Sequence, residues 1–175
     1  MDKYSINILK KVYFVYLFLF CKHLSLCYNQ GMEKLNISFD LPAISPKEIN
    51  LINPQSLAFV GDAVYTLFVR SFFCETDKVK SRVLHKKVID FVKASAQSQA
   101  LDNIYDSLNE EEIDIVKRAR NTKVNSMAKN AKMIEYKKST GFEALLGFLY
   151  LSNKSDRLNQ ILHMAVGGFG GHDDN

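Results

Sequence analysis

The feature that most restricts the fold is an apolar segment, LAFVGDAVYTLFVR, that carries a single acid, Asp62. Apolar residues occur on nearly all sides of this segment at helical spacing, and such a helix should be buried. Gly61 followed by Asp62 would by itself suggest a turn, but the apolar run is too long for a hairpin strand. A buried carboxylate is costly unless it is paired, protonated or bound to a metal. The segment therefore predicts a buried helix in which Asp62 has a partner.

A second apolar segment, GFEALLGFLYL, also carries one acid, Glu143. Thr140 lies three residues before Glu143, which is a capping-box pattern, so helix capping alone could explain this acid. Asp62 has no such explanation, and its structural alternative is a buried salt bridge or a hydrogen bond in the core. Two acids, each in the most apolar helix of its half of the chain, can also satisfy one another by sharing a cation or a proton. Gly61 and Gly147 would let those helices approach closely.

Helix signals dominate the chain after Met32 and predict an all-α fold. Capping residues predict helix starts at three places: Ser45-Pro46, Asn53-Pro54 and Asn109. Apolar residues at helical spacing predict helices over three further ranges: 81–91, 93–105 and 156–166. Thr140 is predicted to begin the helix that carries Glu143. Residues 121–132 have no clear period and are predicted to form a loop with at most one turn of helix, and strand signals are nearly absent.

The length of 175 residues and the 47% hydrophobic content predict one domain with a packed core. The three cysteines form no CxxC pair, which argues against a zinc site and for a reducing compartment. Residues 1–31 hold a basic flank and a short apolar stretch, and form an extension that is a targeting segment, an accessory helix or sequence outside the functional protein. The helical domain is predicted over 32–166, and 167–175 are predicted to be a disordered tail.

Charge is polarised along the chain. The net charge of +4 owes much to residues 1–31, which hold four lysines against one aspartate. Residues 102–114 carry six acids and no Lys or Arg, whereas residues 117–138 carry eight basic residues against one acid. The basic segment favours binding of a polyanion, with a solvated face as the simpler alternative. Its candidate phosphate-binding residues are Arg118, Arg120, Lys123, Lys129 and Lys132.

The two acids and the basic segment together suggest phosphodiester chemistry on a nucleic acid. Hard divalent cations prefer carboxylate oxygens, and such a cation polarises a phosphoryl oxygen and lowers the pKa of bound water. Asp62 and Glu143 are therefore candidate catalytic and metal-binding residues. Two alternatives remain open. One is a non-catalytic, dimeric, helical RNA-binding protein whose acids only pair or cap; the other is a metal–carboxylate enzyme acting on nucleotides, for which the histidines are too few and badly placed.

Two motifs resemble those of the ribonuclease III family. Residues 57–64, LAFVGDAV, are similar to the family signature LEFLGDAV, and residues 140–147, TGFEALLG, are similar to its second acidic motif, usually DTVEALIG. With the RARN sequence at 118–121 and the segment around His85 and Gln97, the chain most resembles the Mini-ribonuclease III branch, which has no separate double-stranded RNA-binding domain. The resemblance covers about 53–162 and has both acidic motifs in the family's order.

This resemblance implies an all-α, ribonuclease III-like helical endonuclease domain that works as a homodimer on double-stranded RNA. It also implies Mg²⁺ as cofactor and products with 5′-phosphate and 3′-hydroxyl ends. The branch implies maturation of the large-subunit (23S) ribosomal RNA precursor in the cytoplasm. A ribosomal protein or the assembling large subunit is a further candidate partner, and no stable membrane association is expected. The predicted loop 121–132 resembles the insertion that reaches the RNA in this branch.

Residue by residue, the resemblance assigns Asp62 and Glu143 to the two acidic positions that match. Phe59 matches an aromatic residue that packs into a pocket of the partner subunit, with ordinary core packing as the alternative. The larger enzymes have further acids at three positions that are not acidic here: Gln55, Ala58 and Thr140. This departure puts any second metal site in doubt and leaves more of the metal shell to water or substrate phosphate.

Overall fold

The computed structural model describes residues 44–76, 81–122 and 131–167, which form helices and contain no strand. The elements in chain order are α1 (Pro46–Ile49), α2 (Pro54–Thr76), α3 (Ser81–Val92), α4 (Ala94–Ile104), a 3₁₀ turn (Tyr105–Ser107), α5 (Glu110–Asn121), α6 (Ala131–Leu151) and α7 (Ser155–Gly167). The predicted all-α class is confirmed. The predicted extension 1–31 and all of the predicted tail after Gly167, which ends α7, lie outside the described residues.

Side-chain caps determine where three of these helices begin. At α1 the Ser45 hydroxyl accepts the Glu48 N–H while the Glu48 carboxylate accepts the Ser45 N–H, and Asn109 and Glu112 form the same box at α5. At α2 the Asn53 side chain accepts a backbone N–H of the first turn. These bonds satisfy donors that every helix start leaves without an intrahelical partner. The three helix starts predicted from capping residues are confirmed.

Helix α6 is longer than the sequence predicts. It begins at Ala131, so the prediction that Thr140 starts the helix is wrong. The Thr140 hydroxyl donates to the carbonyl oxygen of Tyr136, one turn earlier, at 3.0 Å. A threonine inside a helix commonly forms this bond and then has no role as a cap. Helix capping therefore does not explain Glu143.

Close contact between α2 and α6 forms the centre of the fold, and two glycines allow it. A Cβ on Gly61 would overlap the carbonyl oxygen of Glu143, and a Cβ on Gly147 would overlap the carbonyl oxygen of Leu57. Both obstacles are backbone atoms, so a side chain at either position would push the helices apart. Helix α6 also packs on α4, α5 and α7. Large, fully buried side chains surround the contact: Leu57, Tyr65, Phe142, Leu145, Leu146, Phe148 and Leu149.

Helix α2 is buried on one side only, which corrects the prediction that it is buried all round. The covered side packs on α3, α5 and α6. The other side leaves Phe59 81% and Leu67 43% exposed, and Asp62 and Ala63 are exposed between them. The prediction that Asp62 is buried is therefore wrong. Residues 54–74 have the length and hydropathy of a membrane-spanning helix, but half of their most apolar window is buried inside the protein, which is typical of a core helix.

The acidic stretch 102–114 is neutralised in part by basic residues from later in the chain. Arg157 binds both carboxylate oxygens of Glu112, which is 1% exposed, at 2.8 Å. Burial alone would raise the pKa of Glu112, but the bonds from Arg157 and the Asn109 N–H, with the charges of Arg157 and Lys154, hold this pKa below its ordinary value. Two further ion pairs attach this stretch to α6 and its C-terminal end: Asp102–Lys138 and Glu111–Lys154.

Gly147→Ala should lower the free energy of unfolding by about 3 kcal/mol or more, because the added methyl group overlaps backbone that cannot yield without separating α2 from α6. Gly167→Ala is the matched control, since nothing lies within 4 Å of a Cβ at that position. Its unfolding free energy should change by less than about 0.5 kcal/mol. Urea unfolding followed by circular dichroism measures both variants, and equal stabilities would contradict the glycine contact.

Candidate active site

The glycine contact between α2 and α6 brings the two acids of the sequence motifs together. Asp62 directly follows Gly61, and the Glu143 carbonyl lies against Gly61. The side-chain charges of Asp62 and Glu143 interact across this contact. Two acids that are far apart in the sequence are thus neighbours in the fold.

The two acids have different surroundings. Asp62 is exposed, whereas Glu143 is half-buried. Burial raises the pKa of the Glu143 carboxyl to about 7, and the negative charge of Asp62 acts in the same direction. The side chain of Gln97 opposes this increase. Near neutral pH, Glu143 of the metal-free protein therefore exists in both its protonated and its ionised form.

Within the described ranges, no ion pair neutralises either acid. The ion pairs found there use five other acids: Asp90, Asp102, Glu111, Glu112 and Asp114. The alternative of a buried salt bridge for Asp62 fails because Asp62 is exposed. Two carboxylates without a basic partner fit a hard divalent cation such as Mg²⁺, which binds oxygen ligands. No group of three or more His, Cys, Asp or Glu ligands occurs among the described residues, so water or phosphate would supply the other ligands.

Among the candidate RNA-binding residues, Arg118 and Arg120 have described side chains. Arg118 donates to the Asn50 carbonyl oxygen at 2.8 Å and lies 4.0 Å from the Asp114 carboxylate, so it also connects α5 to the segment before α2. The Arg120 stem packs where a Cβ on Gly141 would lie, which places it beside α6. Arg120 therefore contacts the helix that carries Glu143.

The predicted RNA-binding loop lies mostly outside the described residues. Asn121 still belongs to α5 and Ala131 opens α6, so the prediction of a loop is wrong for residue 121 and for residues 131 and 132. Lys123 and Lys129 fall in the gap at 123–130, and the side chain of Lys132 is likewise not among those described. The RNA-binding role of these three lysines stays a prediction.

Gln97 is a residue of this site for which the sequence analysis assigned no role. It is 1% exposed on α4, and its side chain lies against the Glu143 carboxyl because α4 packs on α6. A signal was available in the sequence. Gln97 lies one turn before Leu101 on the inward face of a helix whose other buried residues are mostly small or apolar. A polar side chain at such a position is a candidate for a buried interaction.

The exposed apolar side of α2 consists of Phe59, Ala63 and Leu67, which we call the α2 apolar face. These residues are spaced one helical turn apart and lie on the side opposite the core. The alternative that Phe59 packs in the core of its own subunit is wrong, because its side chain is 81% exposed. An exposed phenylalanine within an apolar stripe is typical of a surface that another protein surface covers.

Two acids that meet at a contact between helices of an all-α domain fit a helical nuclease, and residues 55–154 match the family model for the Ribonuclease III domain. Over 121 residues the chain is 46% identical to the Mini-ribonuclease 3 of Clostridium tetani, covering 69% of this chain and 80% of that relative. Over 137 residues it is 41% identical to the Mini-ribonuclease 3 of a Thermoanaerobacter species, covering 77% and 96%. The chain therefore belongs to the Mini-ribonuclease 3 branch of the ribonuclease III family and is an endoribonuclease.

A solved structure agrees with this assignment. A crystal structure of a Fusobacterium nucleatum protein superposes with a TM-score of 0.62 at 31% identity, covering 70% of this chain and 98% of that chain. The family and the fold class expected from the two sequence motifs are both confirmed.

Glu143→Gln should stabilise the metal-free protein at high pH. The folded protein holds the Glu143 proton up to a pKa of about 7, against an ordinary value of 4.5. The stability that protonated Glu143 contributes is therefore fully present below about pH 4.5. It is lost as the pH rises from there through about 7, by up to about 3 kcal/mol. The advantage of Glu143→Gln over the wild type should grow between pH 5 and pH 8, in urea unfolding with EDTA present. An advantage that does not change with pH would contradict the raised pKa.

Proposed function

We propose that this endoribonuclease is Mg²⁺-dependent and cleaves double-stranded RNA, leaving 5′-phosphate and 3′-hydroxyl ends. The observation that carries the proposal is the meeting of Asp62 and Glu143 at the α2–α6 contact, with no ion pair to either acid in the described part of the chain. The similarity to Mini-ribonuclease 3 proteins supports the RNA substrate. The resemblance of both acidic motifs to those of the ribonuclease III family supports double-stranded RNA as the form of that substrate.

In this proposal Asp62 and Glu143 would hold the cation, and a bound cation would supply polarisation of a phosphoryl oxygen and a lower pKa for bound water. Asp62 is exposed, so a phosphodiester can reach its side of the pair directly from solvent. Glu143 would hold the cation as an ionised carboxylate, since ligands must be deprotonated to bind a metal. Its partial burial limits the access of water to the carboxylate.

In this proposal, basic residues of the same domain bind the RNA substrate. Double-stranded RNA is gripped by its shape, through phosphates and 2′-hydroxyls, because its major groove is too deep and narrow for side chains to read. Arg120 lies beside α6, and we assign it a phosphate contact together with Lys123, Lys129 and Lys132. Arg118, which donates to the Asn50 carbonyl oxygen, combines a structural role with any phosphate contact. Affinity should fall steeply as salt is added.

We place the dimer contact on the α2 apolar face, where Phe59 is the largest exposed side chain. Burial of an aromatic residue is worth a large share of the binding energy in a typical interface. Phe59 matches, in the ribonuclease III signature, an aromatic residue that packs into a pocket of the partner subunit. This resemblance supports the same location for the dimer contact. A homodimer built there would leave Asp62, on the adjacent side of α2, close to the subunit boundary.

The biological substrate that we propose is the large-subunit (23S) ribosomal RNA precursor in the cytoplasm. A ribosomal protein or the assembling large subunit would be the further partner, and we expect no stable association with a membrane. These assignments are supported by the resemblance to the Mini-ribonuclease III branch. One argument for a non-catalytic RNA-binding protein was that Glu143 only caps its helix. That argument no longer holds, because Thr140 does not cap the helix that carries Glu143.

Asp62→Asn should abolish cleavage of a long duplex RNA in Mg²⁺, by more than about a hundredfold, while binding of the RNA is retained. The change removes a negative charge from the pair and leaves the basic residues untouched. Asp106→Asn is the matched control, since Asp106 is an exposed aspartate on the 3₁₀ turn, and its rate should equal the wild-type rate. Gel assays of cleavage and of binding measure both quantities. Persistent cleavage by Asp62→Asn would refute the catalytic assignment.

Phe59→Glu should weaken self-association by at least about 30-fold, because it places a charge in the centre of an apolar contact. Ile134→Glu is the matched control, since Ile134 is 61% exposed on α6 and lies outside the α2 apolar face. Sedimentation velocity over a range of protein concentrations measures the dissociation constant of each variant. A Phe59→Glu protein that associates like the wild type would exclude this face as the dimer contact.

A further inference from the structure

Gln97 carries a buried amide nitrogen that forms no hydrogen bond of ordinary geometry within the described residues. Its side chain is 1% exposed, and its Nε2 has no hydrogen-bond partner in the described part of the chain. A buried donor without a partner costs about 1–3 kcal/mol, and such groups are rare in folded proteins. An apolar side chain of similar size would fill the same space without this cost. Packing alone therefore does not explain why α4 has an amide here.

The polar group that Gln97 faces is the carboxyl of Glu143. Where α4 packs on α6, the Gln97 amide lies close enough to lower the pKa of the Glu143 carboxyl as a hydrogen-bonding neighbour does, although the two groups do not form a hydrogen bond of ordinary geometry. Glu143 also interacts with Asp62, and no Lys or Arg pairs with it within the described ranges. The interactions of Gln97 and Asp62 can therefore determine the orientation of the Glu143 carboxylate.

A neutral amide suits this position better than a charged donor. A lysine or arginine would neutralise Glu143 and compete with a cation for its oxygens. An amide N–H can bind one carboxylate oxygen and leave the other oxygen free, and it does not change the net charge of the pair. Carboxylates that bind metals are usually held by such a hydrogen bond from a neighbouring side chain.

We infer that Gln97 is a positioning residue for the cation site: its Nε2 donates to one oxygen of the Glu143 carboxylate and directs the other oxygen toward Asp62. This inference rests on the proposed function, because it requires Asp62 and Glu143 to share a cation. Gln97 acts through Glu143, since a side chain that is 1% exposed cannot reach the RNA. The Nε2 donor that forms no ordinary hydrogen bond in the metal-free protein would form this bond when a cation is bound.

Gln97→Met tests the inference because it removes both polar atoms and keeps an unbranched side chain of similar length. Binding of Mn²⁺ to the full-length, metal-free protein, measured by calorimetry without RNA, should weaken by about 10- to 100-fold. In cleavage assays kcat should fall at low Mn²⁺ and recover at high Mn²⁺, while KM for duplex RNA stays unchanged. Gln99→Met is the matched control on the same helix, where Gln99 is exposed, and should bind Mn²⁺ like the wild type.

Thermal unfolding of the metal-free variants separates positioning from a structural role. Gln97→Met should be at least as stable as the wild type, because it removes an unsatisfied buried donor. A folded Gln97→Met protein with wild-type Mn²⁺ affinity overturns the inference, and so does a loss of affinity that is matched by a loss of stability. If Gln97→Met does not fold, Gln97→Asn, which withdraws the amide by one carbon, must weaken Mn²⁺ binding, and unchanged affinity overturns the inference in the same way.

Asp62→Asn in the same calorimetric experiment separates failure of this inference from failure of the proposed function. If Asp62→Asn loses Mn²⁺ affinity and Gln97→Met does not, the shared cation site stands and the positioning role is wrong. If neither variant loses affinity, the cation site itself is wrong, and the positioning role falls with it.

Discussion

Two helix backbones can approach this closely only where a residue at the contact has no Cβ in the way, and Gly61 and Gly147 provide such positions in α2 and α6. The contact has two consequences. It makes α6 the central helix on which α2, α4, α5 and α7 pack. It also places Asp62 beside Glu143, since Asp62 follows one of these glycines and the Glu143 carbonyl lies against it. The same constraint therefore determines both the core of the fold and the position of the candidate active site.

The acid pair makes the metal-free protein less stable than its packing would allow. Burial and the charge of Asp62 raise the pKa of Glu143 to about 7, so ionising this group at neutral pH costs free energy. The buried Nε2 of Gln97, which forms no hydrogen bond of ordinary geometry within the described residues, adds to that cost. Polar groups that destabilise a fold and lie together in one place are typical of functional sites, where binding of a ligand offsets the cost. In contrast, the buried Glu112 is fully paired with Arg157 and stabilises the contact between α5 and α7.

Much of the fold could be predicted from local patterns, because capping residues and apolar spacing act over a few residues. The starts of α1, α2 and α5 follow from Ser45, Asn53 and Asn109. The start of α6 could not be predicted, since residues 131–139 are mostly polar and their helix is sustained by the apolar half of α6 that comes after them. The exposure of Asp62 was also missed, because hydrophobic spacing does not distinguish a face covered by the same chain from a face open for a partner.

The candidate site could be predicted in part. Asp62 and Glu143 stand out because a carboxylate in an apolar segment requires an explanation, and the family motifs point to the same two residues. The contact of Gln97 with Glu143 could not be predicted from the sequence, since it depends on the packing of α4 against α6. Anomalous diffraction from a crystal grown with Mn²⁺ tests the central claim most directly. We expect one strong peak bonded to oxygens of both Asp62 and Glu143, and a peak bound to only one of them, or no peak between them, would contradict the shared cation.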